Sequence, residues 1–174
     1  DARPHIGSNR LPRVVTALRQ TLADAGVETR FECRVTGLLC EAGHVAGVRL
    51  ADGATVDAAA VVLATGHSAR DVYTFAAQAG ASLVGKPFAV GVRVEHPQPL
   101  IDRAQYGAAA SRYALPAAAY RLEATVEERG VFSFCMCPGG WIVPAATEPE
   151  AIVVNGMSLS RRDSPFANSG IVVA

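Results

Sequence analysis

The sequence predicts a mixed α+β fold, in which helices stand beside mostly antiparallel sheets. Three features support this class. Apolar residues recur at helical spacing in residues 10–25. An Asp52-Gly53 dipeptide, the signal of a tight hairpin, follows a segment of alternating polarity. Several more alternating segments follow residue 86, which indicates a second set of half-buried strands.

A helix over residues 10–25 opens the chain. Asn9 is the expected N-cap, Pro12 suits the first turn because its missing N–H costs little there, and Gly26 ends the helix. A strand over residues 27–35 is expected next, and a β-meander then begins at residues 38–40. The apolar face of the helix consists of Leu11, Val14, Val15, Leu18 and Leu22.

Residues 61–64, Val-Val-Leu-Ala, do not alternate, and this predicts a strand buried on both faces, as in a parallel sheet. Ligands of open α/β sheets lie beyond the carboxyl ends of such strands. Gly66 stands there, where a missing side chain would let a ligand approach. Ser68 is the expected N-cap of the next helix, with Asp71 three residues later as in a capping box. The amino end of that helix would suit a phosphate or carboxylate.

The second half of the chain predicts strands joined by loops. A short helical turn at residues 100–105 and a loop at 107–119 interrupt them, and a polar loop covers 158–168. The expected strands cover residues 88–95, 120–126, 131–136, 141–143, 151–155 and 171–174.

Five segments resemble one bacterial family, the FAD-dependent dehydrogenases, a group of NAD(P)/FAD-dependent oxidoreductases. The segments are RPHIGSNRLPRVV (residues 3–15), ATGHSARD (64–71), KPFAVGVRVEHPQ (86–98), FCMCPGG (134–140) and NGMSLSRRDSPFANSGIVV (155–173). The resemblance gives the cofactor, FAD, but not the substrate.

The family's phosphate-binding G-x-G-x-x-G motif does not occur in this sequence. We therefore expect an internal segment of a longer protein, called here the parent flavoprotein, whose missing N- and C-terminal parts are its partners. The resemblance implies a partial FAD-binding lobe in residues 1–85, an inserted substrate-lobe sheet in 86–157, and a return to the FAD lobe in 158–174. We expect the chain alone neither to hold FAD nor to be active, and the sequence leaves open whether it is itself an enzyme.

Two turns are the expected cofactor contacts. Ala64, Thr65, Gly66, His67 and Ser68 form the first; spacing alone favours a plain strand-to-helix turn, and the resemblance favours FAD contact. Gly139 and Gly140 form the second, where backbone N–H groups would come close to the flavin ring. Catalytic residues stay unassigned, because lone histidines such as His67 and His96 more often satisfy backbone groups.

Cys135 and Cys137 are either buried packing residues, a redox-active thiol site or half a metal site. We expect reduced thiols and no metal, because structural zinc needs four ligands and the neighbouring residues are apolar. Arg93 and Glu95 share a strand face, which is either a substrate-binding or a solvated face.

The overall charge favours neither nucleic acid nor membrane as a partner, since 16 basic and 16 acidic residues balance. No apolar run approaches the roughly 20 residues needed to span a bilayer. Four cysteines in a chain of this length are not a disulfide framework, so a cytoplasmic location is expected. The alternative to an oxidoreductase segment is a non-catalytic ligand- or protein-binding module that keeps a flavoprotein-like fold.

Overall fold

A computed structural model describes residues 5–174, which form two compact units. The meander unit is Gly26–Lys86. The split unit combines residues 5–25 with Pro87–Ala174. Both units contain helices and antiparallel sheets, so the predicted α+β class is confirmed. The predicted lobes, residues 1–85, 86–157 and 158–174, concern an assembled flavoprotein and stay a prediction.

The meander unit consists of β1 (Val35–Glu41), β2 (His44–Leu50), β3 (Thr55–Asp57) and α2 (Arg70–Gln78). Its strands form the predicted β-meander, an antiparallel sheet in the order β1-β2-β3. The turn between the last two strands has Gly53 at a φ of +89°, and the Ala54 N–H donates to Asp52 Oδ1 at 3.0 Å. A helix, α2, packs on β1, and Leu50 and Phe75 form the buried core.

Two predicted strands of the meander unit are not formed. Residues 27–34 and 58–66 have no strand pairing, and Phe31 and Val62 are 67% and 88% exposed. A strand buried on both faces needs hydrogen-bonded neighbours and covering layers. Among the residues that the structure describes, no strand lies beside residues 61–64, so their apolar run has no sheet to join.

The split unit contains a four-stranded antiparallel sheet, β4-β9-β6-β5, and a separate hairpin, β7-β8. Its strands are β4 (Val90–Pro97), β5 (Glu123–Val126), β6 (Arg129–Cys137), β7 (Gly140–Pro144), β8 (Val154–Ser158) and β9 (Phe166–Val173). Its helices are α1 (Leu11–Asp24), α3 (Gln98–Tyr106) and α4 (Ala109–Arg112). The loop predicted at residues 107–119 thus contains a short helix.

Strand β9 begins five residues before the predicted strand at 171–174 and lies between β4 and β6. Ala167, Asn168 and Ser169 are fully buried within it. Because of its polar residues, the first part of this strand was predicted as part of the loop at 158–168. They are accommodated because Ser169 Oγ donates to Gly170 O at 2.9 Å and Asn168 Oδ1 accepts from Arg93.

Helix α1 is confirmed, with Pro12 in its first turn, but its cap is not the predicted one. The N-cap is Arg10, without a side-chain hydrogen bond, because the Asn9 side chain bonds to Ser160 instead. None of the helix residues is buried. The predicted apolar face is therefore exposed in this structure, with Leu18 60% accessible. No helix in residues 5–174 is long and apolar enough to cross a membrane.

Candidate functional site

Three segments far apart in the sequence meet around one cleft of about 420 Å³ in the split unit. They are the start of α1, the turn after β6 and the loop after β8. We call this the motif cleft. It is lined by His5, Ile6, Gly7, Ser8, Leu11, Met136, Cys137, Pro138, Gly156, Met157, Ser158 and Arg162. The sequence singled out these segments separately but gave no signal that they converge.

The segment before α1 is held against the loop after β8 by hydrogen bonds. The Ser8 N–H donates to Ser158 O at 3.0 Å, and the Ser160 N–H donates to Asn9 Oδ1 at 2.9 Å. His5 Nε2 lies 2.9 Å from Leu159 O. Gly7 has a φ of +89°, and a Cβ there would collide with the Ser160 backbone. Only glycine fits this approach, which brings one wall of the cleft into place.

The Pro138-Gly139-Gly140 turn is buried, and its first residue lines the cleft. The Gly139 N–H donates to Gln98 Oε1 at 2.8 Å, and Gly140 pairs with Ser158 between β7 and β8. Gly139 has a φ of +53°, and a Cβ there would run into the Arg162 carbonyl group. One of the N–H groups expected to face a flavin is therefore already used within the chain. Cofactor contact by Gly139 and Gly140 stays a prediction.

The Arg93 side chain connects β6 and β9 by hydrogen bonds beside the cleft. Its Nη1 donates to Cys135 O at 3.0 Å and to Asn168 Oδ1 at 2.6 Å. Gly156 makes room for this pair, since a Cβ there would overlap both Arg93 Nη1 and Asn168 Oδ1. Glu95, on the same strand, accepts a hydrogen bond from the Ile142 N–H at 3.3 Å. Arg93 thus binds two other strands of the four-stranded sheet and Glu95 binds the β7-β8 hairpin, so the strand face that carries them is not simply solvated.

Three buried side-chain nitrogens have no hydrogen-bond partner among the described residues: His96 Nε2, Arg162 Nε and Asn168 Nδ2. A buried unpaired polar group typically costs about 1–3 kcal/mol. Arg162 lines the motif cleft, and Asn168 lies directly behind Gly156 in its wall. His96 lies elsewhere, with its ring 5.5 Å from that of Tyr120. The unpaired Arg162 and Asn168 N–H groups are therefore available to donate hydrogen bonds to an additional acceptor.

Cys135 and Cys137 lie on a β-bulge. Register with β9 shifts between Phe134 and Cys137, so that two residues oppose Ser169 alone. Cys135 is exposed with a φ of +50°, a conformation that costs a non-glycine residue energy. Burial raises the pKa of the Cys137 thiol, and the neighbouring Cys135 adds to this, while Arg93 acts in the opposite direction. The neighbouring residues are apolar and the pKa is raised, as expected, but the fold also brings the Arg93 guanidinium group to Cys137, which the sequence did not indicate.

The ATG turn, residues 64–68, belongs to the meander unit. Gly66 has a φ of +75°, and a Cβ there would meet nothing within 4 Å. The predicted cap is wrong: Ala69 is the N-cap of α2, and Ser68 makes no capping bond. The Arg70 N–H donates to the Ser68 carbonyl oxygen at 2.9 Å and the Val72 N–H to the Ala69 carbonyl oxygen at 3.2 Å. Contact of Ala64, Thr65, Gly66, His67 and Ser68 with FAD stays a prediction.

The Asp71 carboxylate accepts a hydrogen bond from Arg34 Nη2 at 2.6 Å, which holds the pKa of that carboxyl below its usual range.

Within residues 5–174 no group of three or more His, Cys, Asp or Glu side chains could hold a metal ion. Cys33 and Cys40, in the meander unit, are free thiols like Cys135 and Cys137.

Comparison with known proteins gives the class and then the family. Residues 87–174 match the family described as "FAD-dependent protein, C-terminal domain-like". This matched range begins at the same residue as the second part of the split unit. Residues 7–109 match "FAD dependent oxidoreductase". The chain belongs to the FAD-dependent oxidoreductases, and the resemblance seen in the sequence is confirmed.

A relative from Clostridium beijerinckii, an uncharacterized protein, is 41% identical over 175 residues. The match covers 99% of this chain and 33% of the relative, so the chain spans about a third of the length of that protein. This fits the prediction of a segment of a longer FAD-dependent oxidoreductase.

Proposed function

We propose that the chain serves a dehydrogenase that uses FAD, contributing a flavin contact at residues 64–68 and a ligand-binding wall in the motif cleft. Bound FAD would supply the chemistry by accepting two electrons, formally a hydride, from the substrate. The chain's residues would bind and orient. The observation that carries the proposal is the motif cleft itself, where three family-like segments meet beside the orphaned donor of Arg162.

The ATG turn fits an uncharged part of FAD better than its phosphates. Gly66 is exposed and leaves open space on the side where a Cβ would stand. A phosphate, however, would meet the Asp71 carboxylate in the first turn of α2, where the Arg70 and Val72 N–H groups already donate to backbone oxygens. The turn therefore suits close backbone contact with a ring or a sugar.

The motif cleft suits a ligand that presents oxygen acceptors. Arg162 brings a cationic guanidinium whose Nε has no partner in the described part of the chain. Ser8 and Ser158 add polar groups, while Met136, Met157 and Leu11 supply apolar surface. Such a lining favours a small organic acid or the carbonyl edge of a ring, held by charge-assisted hydrogen bonds.

The other parts of the parent flavoprotein are the proposed partners. The apolar face of α1 is about half exposed along its length, although the sequence has the pattern of a core-facing helix. An exposed apolar stripe of this size is typical of a surface that packs against further protein. We infer that segments outside this chain cover it.

The test is flavin content in the parent flavoprotein carrying Gly66→Val. A β-branched residue is strained at positive φ and fills the open side of the turn, so the ratio of flavin to protein absorbance should fall. Gly85→Val is the matched control, since Gly85 has open space and no positive φ and should keep the flavin. Equal flavin content in both variants would contradict the contact at Gly66.

A different result would contradict the proposed function as a whole. A parent flavoprotein purified without flavin absorbance would favour the alternative, a non-catalytic binding module. Reduction of a bound flavin by a nicotinamide donor would argue against that module and support the dehydrogenase.

A further inference from the structure

The bulge in β6 brings two thiols into one small neighbourhood. The Cys137 thiol donates to the main-chain oxygen of Cys135 at 3.5 Å, and the two thiol groups also interact with each other. The bulge lies at the point where pairing with β9 is interrupted, so less ladder structure holds the two residues in place.

The two cysteines differ in access, as an attacking and a resolving thiol do. Cys135 is exposed, whereas Cys137 is half-buried and lines the motif cleft. Arg93 donates to the Cys135 carbonyl oxygen, and its guanidinium group also interacts with the Cys137 thiol. This guanidinium partly offsets the burial that raises the pKa of the Cys137 thiol.

We propose that Cys135 and Cys137 are a reversible redox pair, which forms an internal disulfide by exchange with a small-molecule disulfide such as oxidised glutathione. The Cys135 thiolate attacks one sulfur of the small disulfide, its S–S bond breaks, and one small thiol leaves with a proton. The Cys137 thiolate then attacks Cys135 Sγ in the mixed disulfide and releases the second small thiol. The protein pair loses two electrons and two protons, and the small disulfide gains both.

The disulfide is expected to be easily reduced. A bridge between residues two apart closes a tight ring, and Cys135 already holds a backbone conformation that is costly for a residue other than glycine. Strained and exposed disulfides have more oxidising potentials and are the labile ones. The pair would therefore report the thiol–disulfide balance at the edge of the motif cleft. This activity is separate from the proposed function and needs no FAD.

Mass spectrometry of this chain after treatment with oxidised glutathione tests the proposal. Trypsin cuts after Arg129 and Arg161, and the peptide between them contains these two cysteines and no others. The expected result is that the peptide loses two hydrogens and retains no glutathione, and that dithiothreitol restores it. Trp141 fluorescence, recorded in parallel, verifies that the unit is folded during the reaction.

Single variants identify the roles of the thiols. Cys137→Ser should stop at a stable glutathione adduct on Cys135, because no resolving thiol remains. Cys135→Ser should react roughly tenfold more slowly than Cys137→Ser, since Cys137 is half-buried and its thiolate is disfavoured.

A wild-type peptide that stays fully reduced, or that keeps glutathione on either cysteine, would overturn the proposal. The wild-type measurement decides even if a variant fails to fold. Flavin content plays no part in it, so its failure and that of the proposed function are distinguishable.

Discussion

Replacing Gly139 with alanine should strongly destabilise the split unit. The residue sits at a φ of +53° in a buried turn, and a Cβ there would stand 2.8 Å from Arg162 Cα and closer still to the Arg162 carbonyl group. Neither neighbour is a flexible side-chain end, so the backbone of one loop must move. That movement would also disturb the hydrogen bond from the Gly139 N–H to Gln98 Oε1.

The magnitude follows from two contributions. A left-handed conformation costs a non-glycine residue about 1–2 kcal/mol. Overpacking of a well-packed site adds typically about 1–3 kcal/mol. We therefore expect the free energy of unfolding to fall by about 2–5 kcal/mol, a large fraction of the stability of a small domain.

Urea unfolding followed by tryptophan fluorescence measures this loss. Trp141 is the single tryptophan of the chain and lies two residues from the substitution, in the split unit. Gly130→Ala is the matched control, because Gly130 lies in the same unit with open space and no positive φ. The control should change stability by about 0.5 kcal/mol or less. A Gly139→Ala protein as stable as the control would refute the reasoning.

Further predictions concern the cofactor, the apolar helix face and one ion pair. FAD titrated into this chain should not saturate at one equivalent by fluorescence, because the sequence lacks the phosphate-binding glycine motif; tight stoichiometric binding would contradict this. Leu18→Glu should change the unfolding free energy by only about 0.5 kcal/mol, since the side chain is exposed; a larger loss in urea would mean that the face is packed. Arg34→Gln should raise the pKa of the Asp71 carboxyl towards its ordinary value in an NMR titration. Because the pKa of Asp71 is lowered in the folded unit, the ion pair contributes to stability above the ordinary carboxyl pKa. This contribution disappears as the pH falls through the pKa of the folded state. An Asp71 pKa that does not change in the variant would contradict the ion pair.

Local patterns were sufficient for the helices and most antiparallel strands. Helix α1, the β-meander with its Asp52-Gly53 turn and the alternating strand β4 each carry their periodicity in a few consecutive residues. The family resemblance likewise rested on short segments that comparison then confirmed. These features are set by neighbours along the chain, so a single sequence suffices to predict them.

Tertiary structure alone decided the rest. The buried Asn168 and Ser169 made β9 look like loop, because their hydrogen-bond partners come from distant residues. The apolar run at residues 61–64 predicted a strand, but a strand forms only where another strand pairs with it. The motif cleft joins three segments that are separate in the sequence, and the Arg93–Cys135 hydrogen bond spans more than forty residues. Local periodicity does not predict such long-range contacts, because they depend on the order of strands in the sheet and on glycines that allow two backbone segments to approach closely.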